Sequence, residues 1–132
     1  MKKLLSVLAL SLGCALSANA AVVVIGNTGG ADSISAADAK KLFLGKGSSS
    51  FVPYELEEGN ATRSAFHSSV TGKSDAQLKA FWSKQVFTGK GNPPASVSGA
   101  AAMKAAVAAD TNGVGYIDEA DVDGTVKIIL KP

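Results

Sequence analysis

The sequence predicts an α/β fold, with a small mixed sheet flanked by helices. Three observations carry this. The run Val22-Val23-Val24-Ile25 is apolar and β-branched throughout. Such a run suits a strand buried on both faces, as in a parallel sheet covered by helices. From Ser74 onward, Leu78, Phe81, Trp82 and Val86 recur at helical spacing behind a Ser74/Gln77 capping box. Strand and helix signals then follow in the order β-α-β-α-α-α-β-β, with short connections and no internal repeat.

Each element has a local reason. Residues 1–20 stand apart from the fold. Lys2 and Lys3 precede a short apolar stretch from Leu4 to Leu12, and Ala18-Asn19-Ala20 is a small-x-small cleavage site. That is the pattern of a secretory signal peptide, too short for a spanning helix. The expected mature chain, 21–132, is of single-domain length. After the first strand, Gly26-Asn27-Thr28-Gly29-Gly30 forms a glycine-rich loop. Ser35 with Asp38 starts a helix that puts Ala39, Leu42 and Phe43 on one face, and Gly45 and Gly47 stop it. Phe51 to Leu56 reads as a strand, which Pro53 marks as an edge or irregular one. Asn60 caps a helix carrying Ala65, Phe66 and Val70 inward, so His67 is expected to face solvent. Gly89 to Pro94 is a rigid loop, and Ser98 is placed to cap an alanine-rich helix bearing Met103, Ala106 and Val107. Gly113 to Ile117 and Val126 to Leu130 are strands joined through an Asp123-Gly124 turn.

Charge and cysteine content narrow the function classes. Lys2 and Lys3 account for the whole net charge of +2, so the chain that follows is neutral. No basic stripe remains to argue for nucleic acid. The only cysteine, Cys14, lies within the signal, which leaves the mature chain without a disulfide. No serine, cysteine or carboxylate motif marks a nucleophile, and His67 is the only histidine. An enzyme is therefore not expected. Glu119-x-Asp121-x-Asp123-Gly124 imitates the start of a calcium loop, but Lys127 and Leu130 occupy later ligand positions. It reads as an acidic, solvated turn.

Two loops are candidates for binding. The stronger is Glu58-Gly59-Asn60-Ala61-Thr62-Arg63. A helix starting at Asn60 leaves the amides of Ala61, Thr62 and Arg63 without intrahelical partners, and its dipole favours an anion. Thr62 adds a hydroxyl and Arg63 a two-pronged donor for oxyanions. The plain alternative is a helix cap with a solvated Arg63 paired to Glu58. The weaker candidate is Asn27-Thr28, which follows a buried strand, the usual place for a ligand in an open α/β sheet. It matches neither a dinucleotide nor a P-loop pattern, and it also reads as a simple turn. Phe81 and Trp82 lie on an apolar stripe and read as core. Asn60-Ala61-Thr62 also fits a glycosylation sequon.

Several stretches together resemble the phosphate ABC-transporter substrate-binding proteins. Ser35-Ala36-Ala37-Asp38 leading to Phe43-Leu44-Gly45-Lys46 is similar to one family helix, and Glu58 to Phe66 to its D-G-S-G-T-R segment. Phe87-Thr88-Gly89-Lys90 and Gly113-Val114-Gly115-Tyr116-Ile117 match two further landmarks. The resemblance implies one periplasmic-binding-protein-like lobe and a small oxyanion ligand of the phosphate type. By position, Asn60 stands for the family's phosphate-binding Ser, Ala61 for Gly, Thr62 for Thr and Arg63 for Arg, with Asn27 and Thr28 as second candidates. It implies a periplasmic location and, as partner, an ABC permease or another periplasmic protein. No cofactor or metal is implied. Asn for Ser alters the donor, and Ala for Gly narrows backbone approach. Full receptors of this type have two lobes, whereas this chain has room for one. A structural or regulatory interaction protein that keeps the fold without the ligand is the competing expectation.

Mass spectrometry of the exported protein should give Ala21 as the N-terminus; an acylated Cys14 would overturn the cleavage reading.

Overall fold

The computed structural model describes residues 21–47 and 50–132. The signal-peptide expectation for 1–20 lies outside the described residues. Five strands form one mixed sheet: β1 (Val22–Asn27), β2 (Val52–Leu56), β3 (Ala95–Val97), β4 (Gly113–Asp118) and β5 (Val126–Leu130). Their order across the sheet is β3-β2-β4-β1-β5. Among the described residues four α-helices flank the sheet: α1 (Ala36–Phe43), α2 (Ala61–Phe66), α3 (Asp75–Phe87) and α4 (Ala100–Ala109). A π-helical turn, His67–Thr71, extends α2, and Gly72 ends it at φ 72°. Among the described residues no helix is long and apolar enough to cross a membrane.

The caps expected for α1 and α3 form. Ser35 Oγ accepts from the Asp38 amide at 3.0 Å. At the start of α3, Ser74 and Gln77 make both bonds of the capping box, at 3.2 and 2.9 Å. For α4 the expected Ser98 cap is replaced by Gly99, which makes no side-chain bond.

Strand β1 corrects the expected direction. It runs antiparallel to both neighbours, with Val24 opposite Tyr116 and Ile25 opposite Ile128. Only β2 is parallel, to β3 and β4. The apolar run reports burial on two faces, and direction is set by the connections. Val23, Val24 and Ile25 are all fully buried. Successive residues of β4 show what covers the faces. A Cβ at Gly115 would lie 2.4 Å from Met103 Sδ of α4. Tyr116, on the opposite face, stacks on Phe66 of α2 with ring centres 3.9 Å apart and lies edge-on to Phe43 of α1.

Strand β2 is interior, not an edge. Its pairing with β3 starts at Tyr54, so Pro53 sits where the strand has β4 as its only neighbour. That placement tolerates a residue without an N–H. Strand β3, three residues long, was not expected within the Gly89–Ser98 connection.

Helix α3 buries less than its pattern promised. Leu78 and Trp82 are buried with Leu44 in a small cluster separate from the main core. Phe81 packs partly against that cluster. Val86 is 50% and Phe87 90% exposed, because only the first turns of α3 have a layer to pack on. Gly45 makes the docking possible. Its φ is +78°, and a Cβ there would lie 2.9 Å from Trp82 Cη2.

Trp82→Ala should therefore cost about 3–5 kcal/mol in urea denaturation, the usual range for deleting a buried large aromatic; a cost below about 1 kcal/mol would place Trp82 outside the core.

Candidate functional site

Strand β2 ends in Glu55 and Leu56, and both are buried. The Glu55 carboxylate sits in a polar cluster enclosed by the aromatic core. His67 Nε2 lies 2.9 Å from each of its oxygens. The Tyr116 hydroxyl donates to Glu55 Oε1 in a short bond and accepts from the Leu56 amide at 3.1 Å. Thr71 Oγ1 donates to the His67 carbonyl at 3.1 Å and lies 3.0 Å from His67 Nδ1. A hydroxyl has one proton, so Nδ1–H is the donor toward Thr71.

His67 is thus fully buried, and the expectation that it faces solvent is corrected. His67 continues α2, its N–H bonded to the Arg63 and Ser64 carbonyls, and it leaves the helix on the side that meets Glu55; Val70 and Thr71 of the π turn are buried with it. Burial pushes the Tyr116 phenol far above its ordinary range, and the neighbouring Glu55 charge adds to this.

The Asn60 turn lies just beyond this cluster. Asn60 Oδ1 accepts from the Thr62 amide at 2.8 Å and the Arg63 amide at 3.4 Å. Two of the three amides expected to be available are therefore capped by Asn60 itself. Arg63 turns inward, where its Nη1 donates to the Leu56 carbonyl at 2.7 Å and lies 3.8 Å from Glu55. Its side chain is 13% exposed. The expected pairing with Glu58 is replaced by this contact with Glu55.

Two adjoining clefts open beside Arg63. Glu58, Arg63 and Lys79 line both. The narrower, about 250 Å³, adds Gly59 and Asp75. The wider, about 520 Å³, adds Trp82, Val86 and Phe87. Asp75 also accepts from Ser64 Oγ, 2.8 Å from Oδ2. Lys79 was not foreseen: a lysine on the polar face of a helix carries no local signal.

Asn27 and Thr28 are elsewhere. Strand β1 ends beside Val114 and β2 begins there, so the Asn27 loop and the Asn60 turn occupy opposite ends of the sheet. One small anion cannot touch both. Asn27 Nδ2 donates to the carbonyls of Val107 and Ala108 at 3.0 Å each, and its Oδ1 accepts from Gly29. It clasps the end of α4. The acidic turn is also engaged: Lys104 reaches Asp123 and Lys131 reaches Glu119, both at 3.0 Å. The Thr125 hydroxyl and amide hold the Asp123 carboxyl down at about 2.

Tyr116 sets an alkaline limit. Above pH ~10 the unfolded chain loses the phenolic proton, while the folded chain keeps it. Stability is therefore complete below pH ~10 and falls above it, by up to about 1.4 kcal/mol per pH unit for one group. Tyr54, raised by burial and by its bond to Asp110, adds in the same direction. Urea denaturation from pH 9 to 11 should show this decline, and Tyr116→Phe should flatten it; an unchanged slope in the variant would contradict the assignment.

No family model matches the sequence, and no curated protein matches it. Solved structures do. An ABC-type phosphate transport receptor from Vibrio cholerae aligns with a TM-score of 0.64 and 18% identity over 83% of this chain and 45% of its own. A putative phosphate ABC transporter substrate-binding protein with bound phosphate, from Clostridium perfringens, aligns with a TM-score of 0.66 and 19% identity over 83% of this chain and 44% of its own. The protein shares the fold of phosphate ABC transporter substrate-binding proteins and spans less than half the length of either.

Proposed function

We propose that the protein is an exported binding component rather than a catalyst, and that it holds a small oxyanion of the phosphate type. The site this reading assigns is the cleft lined by Gly59, Arg63 and Lys79, together with the adjoining start of α2 at Asn60, Ala61 and Thr62. The observation that supports it is the convergence of Arg63 and Lys79 on one cleft beside the α2 start, on a fold shared with phosphate receptors. Only part of the donor set expected from sequence is available. The bond to Leu56 uses one guanidinium donor of five, and the Ala61 amide and Thr62 hydroxyl are the donors this reading adds from the start of α2. Glu58 and Asp75 share the narrower cleft and reduce its pull on a dianion. Affinity is therefore expected to be micromolar or weaker, about −8 kcal/mol at most in magnitude. An ABC-type permease or another periplasmic protein is the partner this reading calls for.

A second reading, an interaction protein without a ligand, is favoured by the self-capped Asn60 turn. Calorimetry with phosphate and sulfate at fixed ionic strength separates the two. Under the binding reading, Lys79→Gln weakens phosphate about tenfold, the worth of one charge-assisted hydrogen bond (~1.4 kcal/mol). Absence of heat and of thermal stabilisation at millimolar phosphate would favour the interaction protein.

A further inference from the structure

The wider cleft has a composition that inorganic phosphate does not explain. One end is charged, with Arg63, Lys79 and Glu58. The other is apolar, with Trp82 on its wall and Val86, Phe87 and Pro93 around it. Phe87 is 90% exposed, and its cost in water is hard to justify on packing grounds, because it supports no part of the core. Exposed apolar surface beside a few polar groups in a cleft of this size is the usual make-up of an organic-ligand site. The charges set the head group. Two cations and one carboxylate leave this end with a single net positive charge, which suits a small anionic head group. Adding Asp75, as the narrower cleft does, cancels that charge.

We propose that the ligand is an oxyanion carrying an apolar body: its head lies against Arg63 and Lys79, and an aromatic or branched aliphatic group lies against Trp82, Val86 and Phe87. This rests on the binding reading above and names the class of ligand for that site. A carboxylate and a phosphate monoester share this chemistry. Their common requirement is an apolar group within a few ångströms of the anionic head, because the two ends belong to one cleft.

Trp82 is the only tryptophan, so its fluorescence reports occupancy of the wall directly. The intact protein is titrated with inorganic phosphate, phenyl phosphate and phenylacetate at fixed ionic strength, with calorimetry in parallel. At least one aromatic anion should bind about tenfold or more tighter than inorganic phosphate. Phe87→Ser, a surface change that leaves the melting temperature in place, should weaken the aromatic anion about fivefold more than it weakens phosphate. Lys79→Gln should weaken both. Tight phenylacetate identifies a carboxylate source, and tight phenyl phosphate a monoester. Equal affinities for phosphate and the aromatic anions overturn this inference and leave the binding reading standing. Aromatic binding that ignores Lys79→Gln also overturns it, because the head group would then have no role. Binding of none of the three overturns both.

Discussion

Glu55 is a carboxylate almost wholly removed from water at the end of β2, and the surrounding elements are arranged to supply it with donors. Strand β4 brings the Tyr116 hydroxyl, the π turn brings His67, and α2 brings Arg63 to 3.8 Å. A buried charge without partners costs several kcal/mol, so these contacts cannot be dropped one at a time. The geometry of α2 follows from this. His67 leaves α2 on the side that meets the carboxylate, and Thr71, four residues on, closes on its Nδ1. The aromatic stack of Tyr116 on Phe66 then fixes α2 against β4. Polar and apolar contacts therefore specify one position for the same helix.

That arrangement also shapes the surface. Arg63 is drawn inward by the Leu56 carbonyl and Glu55, and its inward position makes it a wall of the cleft rather than a projecting arm. The buried cluster and the cleft are two sides of one residue. A change at Glu55 would be felt at the mouth through the guanidinium, with no contact between Glu55 and solvent.

Much of this fold is written locally in the chain. Ser35, Asn60 and Ser74 cap their helices because the interaction spans three residues and needs nothing else. The apolar Val22–Ile25 run shows burial for the same reason. Features that depend on distant partners were not legible. The inward turn of His67 depends on Glu55, twelve residues away in sequence. The antiparallel course of β1 depends on how β4 and β5 return. The exposure of Val86 depends on where the supporting layer ends, although its spacing continues the apolar stripe. At the candidate cleft, the Asn60 turn and Arg63 were visible as residue types, but Lys79 was not, and the bonds of Asn27 to the end of α4 depend on carbonyls some eighty residues away.

The separate packing of α3 has a thermodynamic consequence. Leu44, Leu78 and Trp82 form a cluster apart from the main core, and such satellites open as their own cooperative units at less than the global unfolding free energy. The wider cleft straddles this seam, with Arg63 on the α2 side and Trp82 on the other. Sub-global opening and occupancy of the cleft are therefore linked equilibria. Whatever spans the seam is lost from both the locally opened and the fully unfolded chain, so it must slow amide exchange along α3 and in the sheet alike.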